Sequence, residues 1–172
     1  MKIALTGTPG TGKTTISNVL KDEFGLKVVD LNKVISAFQY YIGWDDNRNC
    51  GVVDLEALRA HPFEDGLVIE GHISHHLSVE RVIVLRTNPA VLRGRLQEKG
   101  FSENKIRENI EAEILDVILI EALGLHGNNV YEVDSTGGLR TTAQLVWEIT
   151  QGYTLERFVV GRYDWTSYLN DS

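Results

Sequence analysis

The chain has a single cysteine, Cys50, among 172 residues. No intrachain disulfide can form, which fits a reducing compartment. No apolar run approaches the roughly 20 residues that cross a bilayer as a helix. Positive charge is also short: 17 Lys and Arg stand against 24 Asp and Glu, a formal net charge of -7. That balance argues against nonspecific nucleic-acid binding through overall charge. No Asn-Lys-x-Asp guanine-recognition motif follows the fourth predicted strand, which weighs against a GTPase. The protein-kinase signatures His-Arg-Asp and Asp-Phe-Gly do not occur. The chain opens on a predicted strand, so no signal peptide is expected, and the expected compartment is the cytoplasm.

The length and a hydrophobic content of 42% suit one domain, 1–172, with a sizeable core. The most informative stretch is Gly7-Thr8-Pro9-Gly10-Thr11-Gly12-Lys13-Thr14-Thr15. It matches G-x-x-x-x-G-K-[ST] at every fixed position. The apolar run Ile3-Ala4-Leu5 precedes it as a buried strand. Ile16, Val19, Leu20 and Phe24 follow at helical spacing. A strand, a glycine loop and a helix start make an anion site, because backbone N–H groups converge and the helix N-terminus leaves donors unpaired. Lys13 supplies a mobile charge for the outer phosphates, and Thr14 a hydroxyl for Mg²⁺.

Val28-Val29 reads as a second strand, and Asn32 as the cap of a helix through Phe38. Such βαβ alternation implies a parallel sheet with right-handed crossovers. Residues 40–53 lack periodicity, and Gly43, Asp45, Asp46, Asn47 and Asn49 suggest a polar surface excursion. Asp54 is placed to cap a short helix, Leu55 to Ala60. Leu67 to Ile69 and Val82 to Leu85 are continuous apolar strands, as expected when both sheet faces are covered. Asn88-Pro89 starts a helix that Gly100 ends. The stripe Ile106, Ile110, Ile114, Val117, Ile118 predicts one long helix from about Glu103 to Ala122. A fifth strand is expected near Asn129 to Val133 and a last helix over Thr141 to Thr150. The aromatic segment 153–172 is too apolar for a free tail, so it packs on the body or on a partner.

Glu70 ends the third strand beside the phosphate loop, where ligands of open α/β sheets bind. A carboxylate there can hold a water of the Mg²⁺ shell, orient an attacking water, or cap the following turn. His72 can polarise a water or contact a phosphate, or serve as a hydrogen-bonded structural residue. His72, His75 and His76 together match no zinc spacing, and His75 and His76 are expected at the surface. Arg93, Arg95, Lys99, Lys105 and Arg107 form a basic cluster across a glycine turn. Within it, Arg95 and Lys99 are placed to close over a nucleotide.

Over roughly residues 1–150 the chain resembles the atypical adenylate kinases of the nuclear, isoenzyme-6 type and their archaeal relatives. The likeness rests on Leu5 to Thr15, Glu70-Gly71-His72, Val84-Leu85-Arg86-Thr87, Arg95-Leu96, Lys99-Gly100-Phe101, Asn109-Ile110 and Glu113-Ile114. It implies a P-loop nucleoside-monophosphate-kinase-like three-layer α/β sandwich with a five-stranded parallel sheet. It also implies a nucleoside-monophosphate arm at about 30–53 and a lid at about 98–108. ATP would contact Gly10, Gly12, Lys13, Thr14, Thr15 and Lys99. Mg²⁺ would be held by Thr14 and, through water, by Glu70. Lys13, Glu70, His72 and Arg95 would be the catalytic set.

Some positions depart from the family pattern. Glu70 stands where the family's Asp-x-His element has aspartate, and Lys99 where an arginine is frequent. Asn32 to Ser36 contains no acceptor-clamping arginine, and the turn Glu70 to Ser74 lacks one too. The resemblance further implies binding to the small-subunit ribosomal protein S11 in late small-subunit maturation. Three readings follow: an adenylate kinase with ATPase activity, an ATP-driven switch on S11, or a kinase for another small hydroxyl acceptor.

Overall fold

The computed structural model describes residues 1–46, 50–153 and 155–170. In chain order the elements are β1 (Ile3–Thr6), α1 (Lys13–Asp22), β2 (Lys27–Asp30), α2 (Leu31–Phe38), β3 (Tyr41–Asp45), β4 (Cys50–Val53), α3 (Leu55–Ala60) and β5 (Leu67–Glu70). Then come β6 (Arg81–Arg86), α4 (Pro89–Glu98), α5 (Glu103–Ile114), α6 (Val117–His126), β7 (Val130–Asp134) and α7 (Leu139–Gln151).

Five strands form one parallel sheet in the order β2-β5-β1-β6-β7. This is the α/β frame that the alternating pattern predicts. Side chains alternate across it, as strand geometry requires. Ile3 and Leu5 join Ile16, Leu20, Val146 and Ile149 under α1 and α7. Ala4 points the other way, into a cluster with Val82, Val84, Leu119 and Ala122 under α6. Leu67 and Ile69 pack with Leu31, Ile35 and Leu58 of α2 and α3. From β1 the chain runs to β2 and β5 on one side and to β6 and β7 on the other. The carboxyl end of β1 is therefore the switch point, where a crevice opens.

Several local expectations change. The described residues of 40–53 are not a structureless excursion: β3 and β4 pair antiparallel, with a register irregularity between Tyr41 and Gly43. Ile42 and Trp44 stay exposed on it, so no buried face imposed a readable alternation. Asn47 and Asn49 lie outside the described residues. Asp30, not Asn32, caps α2, accepting from the N–H groups of Asn32 at 2.9 Å and Lys33 at 3.4 Å. The single long helix is two helices, broken at Asp116, whose φ is 56°. The break lies where the Asp116 carboxylate turns to pair with Arg86.

The aromatic end packs on the body. Phe158 is buried in the main core, and Trp165 and Tyr168 lie on the cluster of Leu92, Leu96, Ile106, Ile110 and Ile114. Asn88 Nδ2 donates to Tyr168 Oη at 2.8 Å. Among the described residues no helix is long and apolar enough to cross a membrane.

Candidate functional site

The loop after β1 is held open by its glycines and its neighbours. Gly7 has φ +144°, and a Cβ there would lie 2.7 Å from the Leu85 carbonyl. Gly10 has φ +94°, and a Cβ there would lie 2.8 Å from Leu92 Cδ1. A side chain at either position would be strained in backbone and blocked in space. Gly12 is the N-cap of α1, and no side chain caps that terminus among the described residues. Its first N–H groups therefore face the crevice, where an anion can take them up.

Lys13 folds back over the loop. Its Nζ donates to the carbonyls of Gly7 at 2.7 Å and Thr8 at 3.1 Å. Thr14 Oγ1 donates to Glu70 Oε1 at 3.2 Å. A cavity of about 160 Å³ brings Gly10, Gly12, Lys13, Thr14 and Thr15 together with Glu70, His72 and Lys99, and adds Asn32 and Phe101. A second cavity, about 470 Å³, shares Gly10, Gly12, Thr15 and Lys99 and extends over Arg95, Ser135, Gly137, Leu139 and Thr142. Of these two cavities Arg95 lines the larger, and its guanidinium donates to the Ser135 carbonyl at 2.8 Å. That bond steadies the β7–α7 loop. Arg93, also in the basic cluster, pairs with Glu103.

Burial tunes the smaller cavity. The Glu70 carboxyl is pushed up, chiefly by desolvation and then by Asp30, with the Thr14 hydrogen bond and Lys13 opposing. The His72 side chain is exposed, and local desolvation, then Lys13 and His76, shift it downward. Lys13 is lowered to about 8, mainly by desolvation inside the loop. Glu70 opposes that shift, Lys99 reinforces it, and Glu113 opposes it. The sign is that of a depressed cation: the charge is present below about pH 8 and lost above it. We expect kcat/KM for a nucleoside triphosphate to fall as the pH rises through about 8. In Lys13→Arg, whose guanidinium stays charged, this limb should be missing from the measured pH profile.

Two features are not legible in the sequence. One is the placement of the paired histidines: His75 is buried, not at the surface, and His76 is half-buried. The His75 ring meets Thr6 Oγ1 at 3.1 Å and Glu121 Oε2 at 3.0 Å. The second is a buried ionic network behind the loop. Arg86 donates from Nε to Glu113 Oε1 at 2.9 Å and from Nη1 to Glu132 Oε1 at 2.6 Å, and it also pairs with Asp116. Glu113 in turn accepts from Thr8 Oγ1 at 2.6 Å and from the Thr87 N–H at 3.0 Å. Glu132 accepts from the N–H groups of Gly161 at 2.7 Å and Arg162 at 3.2 Å. One chain of contacts thus joins the phosphate loop to the C-terminal segment. Its sequence signals are a charged residue, Arg86, at the end of an apolar strand and the place of Arg86 and Glu113 among the residues that carry the likeness.

The family described as an AAA domain is matched over residues 3–116. A protein of Methanocaldococcus jannaschii named "Putative adenylate kinase" is 40% identical over 171 residues, covering 96% of this chain and 93% of the relative. One of Archaeoglobus fulgidus with the same name is 44% identical over 174 residues, covering 99% and 95%. Among solved structures, shikimate kinase from Acinetobacter baumannii superposes with a TM-score of 0.59 at 18% identity, over 90% of this chain and 94% of that one. That last likeness concerns the fold alone.

Proposed function

From the premise that this chain belongs to the same family as these archaeal adenylate-kinase relatives and is a nucleoside monophosphate kinase, we propose that it moves the γ-phosphoryl group of ATP to AMP, yielding two ADP. The carrying observation is one cavity that joins Lys13, Thr14, Glu70, His72 and Lys99 at the sheet's switch point. ATP would lay its phosphates on the loop amides, and its nucleoside along the larger cavity by Ser135, Gly137 and Leu139. An AMP phosphate oxygen attacks Pγ, and the bond from Pγ to the β–γ bridging oxygen breaks. Lys13 leaves the Gly7 and Thr8 carbonyls to stabilise charge on the transferring group, and Lys99 closes from α4. No covalent enzyme intermediate is needed, because positioning and fixed charge do the work.

Thr14 and Glu70 offer two hard oxygen donors 3.2 Å apart, a set that fits Mg²⁺ directly or through water. Bound there, Mg²⁺ would neutralise charge between the β- and γ-phosphates. The arm over 30–53 would seat the acceptor, and the segment 98–108 would close as a lid.

One observation favours hydrolysis as a second reaction. α2 brings Asn32 to the cavity, where an acceptor phosphate would call for an arginine. His72 lines the same cavity and can orient a water in place of AMP. The likeness of Glu70-Gly71-His72 to the isoenzyme-6 type supports a link to ribosomal protein S11 and small-subunit maturation.

The test measures ADP and free phosphate from Mg·ATP, with and without AMP. With AMP, ADP should dominate. Without it, His72→Ala should release phosphate about a hundredfold more slowly while ATP affinity holds. Equal loss of hydrolysis and ATP binding would make His72 a structural residue.

A further inference from the structure

We propose that His75, His76 and Glu121 form a binding site for a divalent transition-metal ion of the zinc class, separate from the nucleotide crevice. The short 3-10 turn Ser74–His76 places two consecutive imidazoles side by side, with ring centroids 4.3 Å apart. Glu121 faces them from α6. The three ligand atoms lie within 4.8 Å of one another. His75 Nε2 is 3.0 Å from Glu121 Oε2, and His76 Nε2 is 3.8 Å from the same oxygen. Ligand atoms on a tetrahedral zinc ion stand about 3.4 Å apart. The observed separations bracket that spacing. Three protein ligands leave a position open to water.

The surroundings have the character of an outer shell. Metal-bound histidines are fixed by a hydrogen bond at the other ring nitrogen. Here His75 Nδ1 meets Thr6 Oγ1 at 3.1 Å, and that hydroxyl donates to the His72 carbonyl at 3.2 Å. A hydroxyl has one proton. Given to His72, it leaves Thr6 to accept from His75 Nδ1–H. The Nε2 lone pair then faces a carboxylate oxygen, a contact that a cation between them resolves. The backbone is clamped as well. His126 Nε2 donates to the His75 carbonyl at 2.7 Å, and Ser74 Oγ to the Leu5 carbonyl at 3.1 Å. The frame that holds the imidazoles is therefore set before a metal arrives. Two imidazoles and one carboxylate select zinc-like ions over Mg²⁺, which prefers oxygen alone.

The site also touches the crevice indirectly. Thr6 ends β1, and its hydroxyl bridges His75 to the backbone of His72. Metal bound there would stiffen the turn that carries His72.

The experiment titrates zinc ions alone into the nucleotide-free full chain, in a Cys50→Ser background that removes the exposed thiol. Uptake is read by competition with a chromophoric chelator. We expect one ion per chain, with affinity reduced about tenfold or more in His76→Ala and in Glu121→Gln. Neither change removes a buried side chain, so both proteins should fold. Thr14→Ala, which removes a hydroxyl in the crevice, should leave zinc uptake unchanged. Cobalt ions should give visible d–d bands that Glu121→Gln abolishes. Absence of uptake would mean that His75 Nε2 carries a proton donated to Glu121, and the proposal would fail. It would fail equally if uptake were unaffected by both variants, or were lost only in Thr14→Ala.

Discussion

Lys13→Ala should lower kcat/KM for ATP by about a thousandfold, an effect of roughly 4 kcal/mol. The size follows from where the charge sits. The ammonium is desolvated inside the loop and satisfied by two carbonyls, Gly7 at 2.7 Å and Thr8 at 3.1 Å. Both bonds can be exchanged for phosphate oxygens without moving the backbone. A charge partly shielded from water interacts more strongly with a transferring phosphoryl group than one in bulk solvent. Global stability should hardly fall, since desolvation opposes the charged lysine in the free fold. Steady-state kinetics beside a thermal melt separate the two effects. Intact turnover in Lys13→Ala would refute the site assignment.

The largest effect on stability is expected at Arg86. Arg86→Met removes the cation that Glu113, Glu132 and Asp116 share. Arg86 and Glu132 are each 1% exposed and Glu113 is 3%, so the orphaned carboxylates would have little water to turn to. Breaking a buried pair in this way costs about 3–5 kcal/mol. For a chain of this size that lowers Tm by roughly 10 °C. The change should also loosen two distant places. Thr8 hangs on Glu113, and the backbone at Gly161 and Arg162 hangs on Glu132. Urea denaturation measures the loss, and proteolysis of the C-terminal segment shows whether it detaches. A loss below about 1 kcal/mol would mean that water or rearranged partners replace the arginine.

The phosphate loop is fully legible in the sequence, because its chemistry is local. Glycine backbone freedom, a helix start and Lys13 lie within nine consecutive residues. The buried strands are legible for a similar reason, since a short apolar run between turn signals has to be covered on both faces. Asp54 and Asn88-Pro89 announce their helices through bonds that span three residues or fewer.

What the sequence conceals depends on partners far along the chain. The stripe Ile106, Ile110, Ile114, Ile118 continues without interruption, and only Arg86, from β6, explains the break at Asp116. His75 reads as a surface residue because Glu121, its partner, stands 46 positions away. Asp30 outcompetes Asn32 as a cap because β2 runs directly into α2. In the β3–β4 pair, Gly51 lies beneath the Tyr41 ring, where a Cβ would come within 2.5 Å. That contact pins the two strands together but leaves no apolar period to read. The basic cluster is visible as a group, yet its members separate in space. Arg95 holds the Ser135 loop, Arg93 pairs with Glu103, and Lys99 alone of the three lines both cavities.

Transfer of a phosphoryl group from ATP to AMP in this crevice is tested most directly by the stoichiometry of one reaction. Mg·ATP is incubated with AMP, and the nucleotides are then separated and counted. We predict two ADP formed for each AMP consumed, with little free phosphate, and a rate about a thousandfold lower in Lys13→Ala. Phosphate released from ATP at the same rate with and without AMP, while AMP remained unchanged, would contradict it.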